Sequence, residues 1–123
     1  MPNTLHIALL QLLPETNDQE ANLRKGLEAC RRAAAMGADI ALFPEMWNTG
    51  YTCGFDAERE DVHQHWAAQA VGPDDAFVRA FRERAPELDM AIAITYLERW
   101  DGPPRNSVSV IDRHGKIILT FAK

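Results

Sequence analysis

The sequence predicts an α/β fold in which parallel strands alternate with helices. Three observations indicate it: strand-length apolar runs, an amphipathic helix between the first two runs, and short connections at both ends of that helix. Such a strand–helix–strand unit is typical of parallel pairing. Along the 123 residues the predicted order is strand, helix, strand, two helices and three strands.

The first strand is Leu5–Leu13, which reads LHIALLQLL. Its residues are apolar on both faces, a pattern that predicts a strand covered on both sides. Pro14 ends it.

The first helix follows a stretch rich in N-cap residues, in which Thr16 and Gln19 fit a capping box. We expect the helix to run from about Asp18 to Met36. Apolar residues spaced by four, three and four share one face, and Cys30 among them is predicted to be a small core residue. Gly37 suits the position just after the helix.

The second buried strand is Ala38–Phe43, closed by Pro44. Functional groups of such βαβ units collect at the carboxyl ends of the strands. Glu45 stands there, two residues past Phe43.

Three further elements are predicted in the middle of the chain. A weakly helical stretch runs from Ala57 to Ala70, and another helix opens at Pro73-Asp74-Asp75 and is ended by Pro86. Met90–Leu97 is the third strand, with small residues on one face.

The last segment is predicted to be a β-hairpin. Asn106–Asp112 and Lys116–Ala122 flank the turn Arg113–Gly115. A period of two places Lys123 on the same face as three apolar residues of the second arm, namely Ile117, Leu119 and Phe121.

Composition excludes several classes of protein. Apolar residues make up 46%, charged residues 25% and the net charge is −5, so a disordered tail or a nucleic-acid binder is not expected. The chain has no apolar run of about 20 residues and no signal-peptide pattern, so neither membrane contact nor export is expected, and the expected compartment is the cytoplasm. Cys30 and Cys53 are too few for a disulfide framework.

Glu45 and Lys123 are the residues with the clearest chemical potential. Burial of Glu45 would raise its pKa toward the working pH, which suits a general base and acid, although a helix cap or a surface ion pair fits the position equally. Lys123 could stabilise a developing oxyanion or could be an ordinary solvated lysine. His63 with His65 as a metal pair, and Cys53 as a nucleophile, have weaker support, because no third ligand and no activating base are evident.

These segments together resemble a known family. LHIALLQLLP, the helix NLRKGLEACRRAAAMGADI, ALFPEMWNTGY and the hairpin NSVSVIDRHGKIILTFAK occur in order over the whole chain. The series is similar to the N-terminal half of the nitrilase, or carbon–nitrogen hydrolase, superfamily. The resemblance implies about half of a four-layer α-β-β-α sandwich.

The resemblance also implies roles for three residues. Glu45, in the Phe43-Pro44-Glu45 triplet, would be the general base and acid, and Lys123 would stabilise the tetrahedral intermediate. Tyr51 would lie near the pocket wall and contact substrate. The implied reaction hydrolyses a small amide, carbamoyl or nitrile through a cysteine thioester, with no metal or organic cofactor.

One part of the family pattern is missing. The family's nucleophilic cysteine lies downstream of the lysine, and neither Cys30 nor Cys53 is in that place, so we expect the 123-residue chain alone to be inactive. We also expect exposed sheet surface, and pairing with a second copy, as a homo-oligomer, or with a C-terminal half. The alternative is a non-catalytic α/β module that binds a partner chain or a small ligand. A nucleotide-binding domain is disfavoured because no Gly-rich loop follows the first strand.

Overall fold

The fold is a five-stranded sheet with helices packed against one face. It comes from a computed structural model that describes residues 3–51 and 60–123. The elements, in chain order, are β1 (Ile7–Leu9), α1 (Gln19–Ala35), β2 (Ile40–Leu42), α2 (Glu60–Ala68), α3 (Ala76–Leu88), β3 (Ala91–Glu98), β4 (Arg105–Ile111) and β5 (Ile117–Ala122).

The strands lie side by side in the order in which they occur in the chain. β1, β2 and β3 are parallel, and β4 and β5 add to them in antiparallel fashion. This confirms the mixed α/β class, the βαβ unit and the hairpin. Parallel pairing brings the carboxyl ends of β2 and β3 to one edge of the sheet, and Glu45 lies at this edge.

The main core lies between the sheet and helices α1 and α3. Aromatic side chains from three segments fill it, with Trp47, Phe81 and Tyr96 fully buried. Cys30 is also fully buried on α1, as predicted. A smaller cluster of Met46, Ala70 and Leu97, with Trp66 of α2 against it, closes the far end of β3.

Among the described residues, the opposite side of the sheet is largely uncovered at β1, β2 and β5. On β1 the side chains of Ile7 and Leu9 are 53% and 62% exposed, so the prediction that this strand is covered on both sides is wrong for this chain. α1 and α3 pack on one face only. The expectation of exposed sheet surface is confirmed, and we call this surface the open face; its large apolar residues are Leu5, Ile7, Leu9, Leu42, Leu119 and Phe121.

The helix ends differ from the predicted ones. The N-cap of α1 is Asp18, whose carboxylate accepts the amide of Ala21 at 3.0 Å, so Thr16 does not form the predicted capping box. Pro86 lies inside α3 and does not end it. A proline removes its own N–H and crowds the carbonyl four residues before it, but the amides of Asp89 and Met90 still bond to the carbonyls of the last turn.

The hairpin contains one irregularity that affects Lys123. The pairing shifts between Val110 and Ile111, so that Ile117 pairs with Ile111 and packs against the core. The predicted common face for Ile117 and Lys123 is therefore wrong, because the extra residue of the bulge reverses the alternation. Lys123 instead shares a cavity on the open face with Phe121.

No helix among residues 3–51 and 60–123 has the length and apolar character needed to cross a membrane.

Candidate active site

Glu45 is placed by the end of β2. Phe43 extends the pairing with β3 through its amide, which donates to the carbonyl of Ala93 at 3.1 Å. Pro44 then ends the strand. The backbone of Met46 is in the left-handed region, with φ of 58°, a conformation that residues other than glycine adopt rarely. The carboxylate of Glu45 is held between these two constraints, and its side chain is 34% exposed.

Three residues bond to this carboxylate, and two of them, Asn106 and Lys123, are distant in the sequence. Lys123 Nζ lies 3.0 Å from Oε1 of Glu45. The side-chain amide of Asn106 donates to the same oxygen, and the hydroxyl of Tyr51 donates to Oε2. The structure thus brings together the three residues singled out in the sequence and adds Asn106.

The pKa of Glu45 is lowered from its ordinary value of 4.5. The hydrogen bond from Lys123 is the largest cause and the one from Asn106 is the next, and together they outweigh the opposing effect of burial. The expectation that burial raises this pKa is therefore wrong, because two donors, one of them charged, favour the ionised form.

The loop after Glu45 is fixed by side chains of β3 and α1. Thr95 Oγ1 accepts the amide of Trp47 at 3.1 Å and donates to the carbonyl of Pro44. Asn48 Oδ1 accepts the amide of Leu97 at 2.8 Å. These bonds satisfy the backbone groups of Pro44 and Trp47 in the loop, and the amide of Leu97 on β3, which lies beyond the end of β2.

Asn22 is the buried centre of this support. Its side chain accepts the amide of Glu15 at 2.7 Å and donates to the carbonyls of Glu15 and Asn48 at 2.8 and 3.0 Å. The indole N–H of Trp47 donates to the Asn22 carbonyl at 2.9 Å. A buried asparagine with all these partners joins α1 to the segments on both of its sides.

Two clefts meet at this site. One, of about 430 Å³, opens on the open face and is lined by Glu45, Lys123 and Asn106 together with Thr95, Ser107, Leu42, Val108 and Phe121. The other, of about 320 Å³, also reaches Asn106 and includes Tyr51 and apolar side chains, among them Met46, Trp66, Leu97 and Pro104.

The other predicted candidates do not join the site in the part of the chain that is described. Cys30 is in the core, where burial raises the pKa of its thiol to about 12, so it stays protonated at neutral pH. His63 and His65 lie on α2, with the ring of His63 against Trp66. No group of three potential metal ligands is found among residues 3–51 and 60–123. Cys53 lies outside the described residues.

Asn106 and Thr95 are the site residues that sequence reasoning missed. Ser107 pairs with Ala122 in the hairpin, which brings Asn106 opposite Lys123. Asn106 is the first residue of the predicted hairpin, but a hairpin without the bulge would place Ala122, and not Lys123, opposite it.

Comparison with known proteins gives a consistent result. Residues 6–123 match the family model described as carbon-nitrogen hydrolase. A nitrilase of Pseudomonas syringae pv. syringae (strain B728a) is 28% identical over 122 residues, which cover 96% of this chain and 36% of the relative. The glutamine-dependent NAD(+) synthetase of Thermotoga maritima is 45% identical over 119 residues, 97% of this chain and 19% of that protein.

A solved structure is also similar. It is a mutant of the Nesterenkonia AN1 amidase from the nitrilase superfamily, with a TM-score of 0.77 and 25% identity over 99% of this chain and 44% of that one. The chain spans about a third of the length of the nitrilase relatives that it matches (34–38%).

Proposed function

This chain belongs to the carbon–nitrogen hydrolase family, and from that premise we propose that it supplies the acid–base and oxyanion-binding half of an amide- or nitrile-hydrolysing active site. The family is one of hydrolases of C–N bonds. The observation that supports the proposal is the Glu45–Lys123 contact of 3.0 Å beside a cleft. The proposed substrates are small amides, carbamoyl compounds or nitriles.

Glu45 is proposed as the general base and then the general acid. Its lowered pKa keeps it ionised at neutral pH, so it can accept the proton of an attacking thiol. With an amide, the thiolate forms a bond to the carbonyl carbon, and the protonated Glu45 then gives its proton to the leaving amine. Water hydrolyses the thioester in a second step, with Glu45 again taking a proton.

Lys123 is proposed to stabilise the tetrahedral intermediate. Its side chain is 74% exposed and bonded to Glu45, and the ammonium can donate to a developing oxyanion in the same cleft. Tyr51 is proposed to contact substrate, because its hydroxyl bonds to Glu45 and its ring lines the second cleft.

The nucleophilic thiol is proposed to come from outside the described residues. Cys30 is the one cysteine among residues 3–51 and 60–123, and it is buried and protonated. Cys53 lies upstream of Lys123, whereas the family resemblance places the thiol downstream of the lysine. We therefore propose that these 123 residues alone do not turn over, and that they complete a site with a C-terminal half or a partner chain that carries the thiol.

The test is ammonia release from small aliphatic amides and nitriles. The gene product at its natural length is compared with the 123-residue chain alone and with that chain plus a C-terminal chain carrying the thiol. Glu45→Gln in the active form should lower kcat by about 10²–10⁴-fold, the usual contribution of a general base.

The control is Glu83→Gln, which makes the same change on the exposed surface of α3, where Glu83 lies 4.0 Å from Arg79. It should leave the rate unchanged. A thiol-containing form that hydrolyses none of these substrates, or equal rates for Glu45→Gln and Glu83→Gln, would contradict the proposal. Ligand binding retained without any hydrolysis would instead support the non-catalytic module.

A further inference from the structure

We propose that Asn106 is a positioning residue that sets the orientation of the Glu45 carboxylate relative to Lys123 and leaves Oε2 as the proton-accepting oxygen. The inference rests on the proposed function of Glu45 as a base. Asn106 itself neither gains nor loses a proton in the reaction, because a neutral side-chain amide does not titrate.

The first argument is the distribution of donors on the carboxylate. Each carboxylate oxygen offers about two lone-pair sites. Oε1 receives both Lys123 Nζ and Asn106 Nδ2, whereas among the described residues Oε2 receives the Tyr51 hydroxyl. Oε1 therefore carries two donors and Oε2 carries one, which leaves Oε2 the more open of the two oxygens to an incoming proton.

The second argument is the double link between Asn106 and Lys123. The backbone amide of Lys123 donates to the backbone carbonyl of Asn106 at 2.8 Å. The backbone of Asn106 thus fixes the backbone of Lys123, and the side chain of Asn106 bonds to the Glu45 carboxylate. Rotation of the carboxylate would move Oε1 away from both Asn106 Nδ2 and Lys123 Nζ.

The third argument is the rigidity of the segment that carries Asn106. Its neighbours, Arg105 and Ser107, both bond to Oε1 of Glu98 on β3, at 2.6–3.0 Å and 2.9 Å. Glu98 is 8% exposed. Since successive side chains of a strand point to opposite faces, this anchor on the core side directs Asn106 toward Glu45 on the other side.

The experiment compares Asn106→Ala and Asn106→Asp in two readouts. The first is titration of the Glu45 carboxyl carbon by ¹³C NMR in the 123-residue chain. The second is the pH dependence of kcat in the thiol-containing form of the enzyme. Asn106→Asp keeps the size of the side chain, so it remains informative if Asn106→Ala fails to fold.

Both variants should raise the pKa of Glu45, because each removes a donor to the ionised form, and Asn106→Asp should raise it more through like charge. The acid limb of the rate profile should move to higher pH. We expect kcat to fall about 10- to 100-fold, with KM changed less than about threefold, as for the loss of an orienting contact.

The matched control is Thr120→Val. It removes the hydroxyl contact of Thr120 with Ser109 at 2.8 Å on the same sheet, so it costs stability without touching Glu45. It should move neither readout. An unchanged Glu45 pKa and an unchanged acid limb in both Asn106 variants would overturn the inference. If the wild-type enzyme hydrolyses nothing, the proposed function fails, and the NMR titration alone decides the role of Asn106.

Discussion

At the scale of single residues, the ionised state of Glu45 depends on its neighbours more than on its burial. Lys123 and Asn106 together lower the pKa of this carboxyl below 4.5. A base with a lowered pKa is weak, but its conjugate acid donates readily. In the proposed mechanism this arrangement would favour protonation of the leaving amine, the step in which the C–N bond breaks.

Removing the charge of Lys123 tests this balance. Lys123→Met should raise the Glu45 pKa toward its ordinary value, because the largest cause of the lowering is lost. The measurement is NMR titration of Glu45, with Lys116→Met as the control, since Lys116 is an exposed lysine at the hairpin turn. Equal Glu45 pKa values in the two variants would contradict the assignment.

The same pair predicts how stability varies with pH. A group whose pKa is lower in the folded state stabilises the fold above its unfolded pKa. For Glu45 this contribution is present above about 4.5 and is lost as pH falls through the lowered folded value. Lys123→Met should reduce this loss on acidification.

Sequence reasoning found the site residues that carry recognisable chemistry. Glu45 and Tyr51 lie in one local segment, and Lys123 follows a hairpin whose turn is marked by Gly115. Asn106 was missed because its role depends on register. The bulge at the start of β5 shifts the pairing by one residue, and no feature of the sequence marks a bulge there.

At the scale of elements, helix α1 supports the loop that carries Glu45. A Cβ on Gly26 would lie 2.8 Å from Trp47 Nε1, 2.9 Å from Phe81 and 3.0 Å from Phe43. These rings contact one another, and the indole is hydrogen-bonded to α1. The close approach of helix and loop therefore requires glycine.

Gly26→Ala should accordingly destabilise the chain, although alanine is the better helix former by about 1 kcal/mol. The packed rings cannot move aside without strain, so we expect the free energy of unfolding to fall by about 1–2 kcal/mol. Urea denaturation measures it. The control is Gly102→Ala, where nothing lies within 4 Å of the added Cβ and the expected change is within about 0.5 kcal/mol.

The limits of element prediction have physical causes. α1 was placed to within one residue because its apolar face and Gly37 are strong local signals. The end of α3 was misplaced because the helix continues past Pro86. The amides of Asp89 and Met90 bond to the carbonyls of its last turn, so the loss of one amide at Pro86 does not end it. β1 was predicted as nine residues but pairs over three. A run of apolar residues does not specify how many of them pair with a neighbouring strand.

At the scale of the whole molecule, the open face exposes large apolar side chains on and beside β1, β2 and β5. Its leucine, isoleucine and phenylalanine side chains are 39–66% exposed. Contiguous apolar surface of this kind is typical of interfaces. We propose that a C-terminal half or a second copy covers it.

Charged substitutions on this face test that proposal. Leu9→Lys and Leu119→Lys should shift the 123-residue chain toward monomer in sedimentation velocity, because each removes apolar contact from the interface. Ala35→Lys is the control: Ala35 is exposed at the last position of α1, and the change adds the same charge. A wild-type chain that is monomeric and unfolds in one sharp transition would contradict coverage of this face by a second copy.

The network around Asn22 has a consequence for the timing of motion at the site. The amide protons of Glu15, Trp47 and Leu97 are donated to the side chains of Asn22, Thr95 and Asn48, and not to a strand or helix ladder. Because Asn22 also bonds to the Asn48 carbonyl, these acceptors cannot be released one at a time without leaving buried polar groups unpaired. The three amides should therefore exchange with solvent deuterium in a single cooperative opening. The loop that carries Glu45 would then have two kinetic states, closed and open. The lifetime of the closed state would determine how often the Glu45 carboxylate changes its orientation.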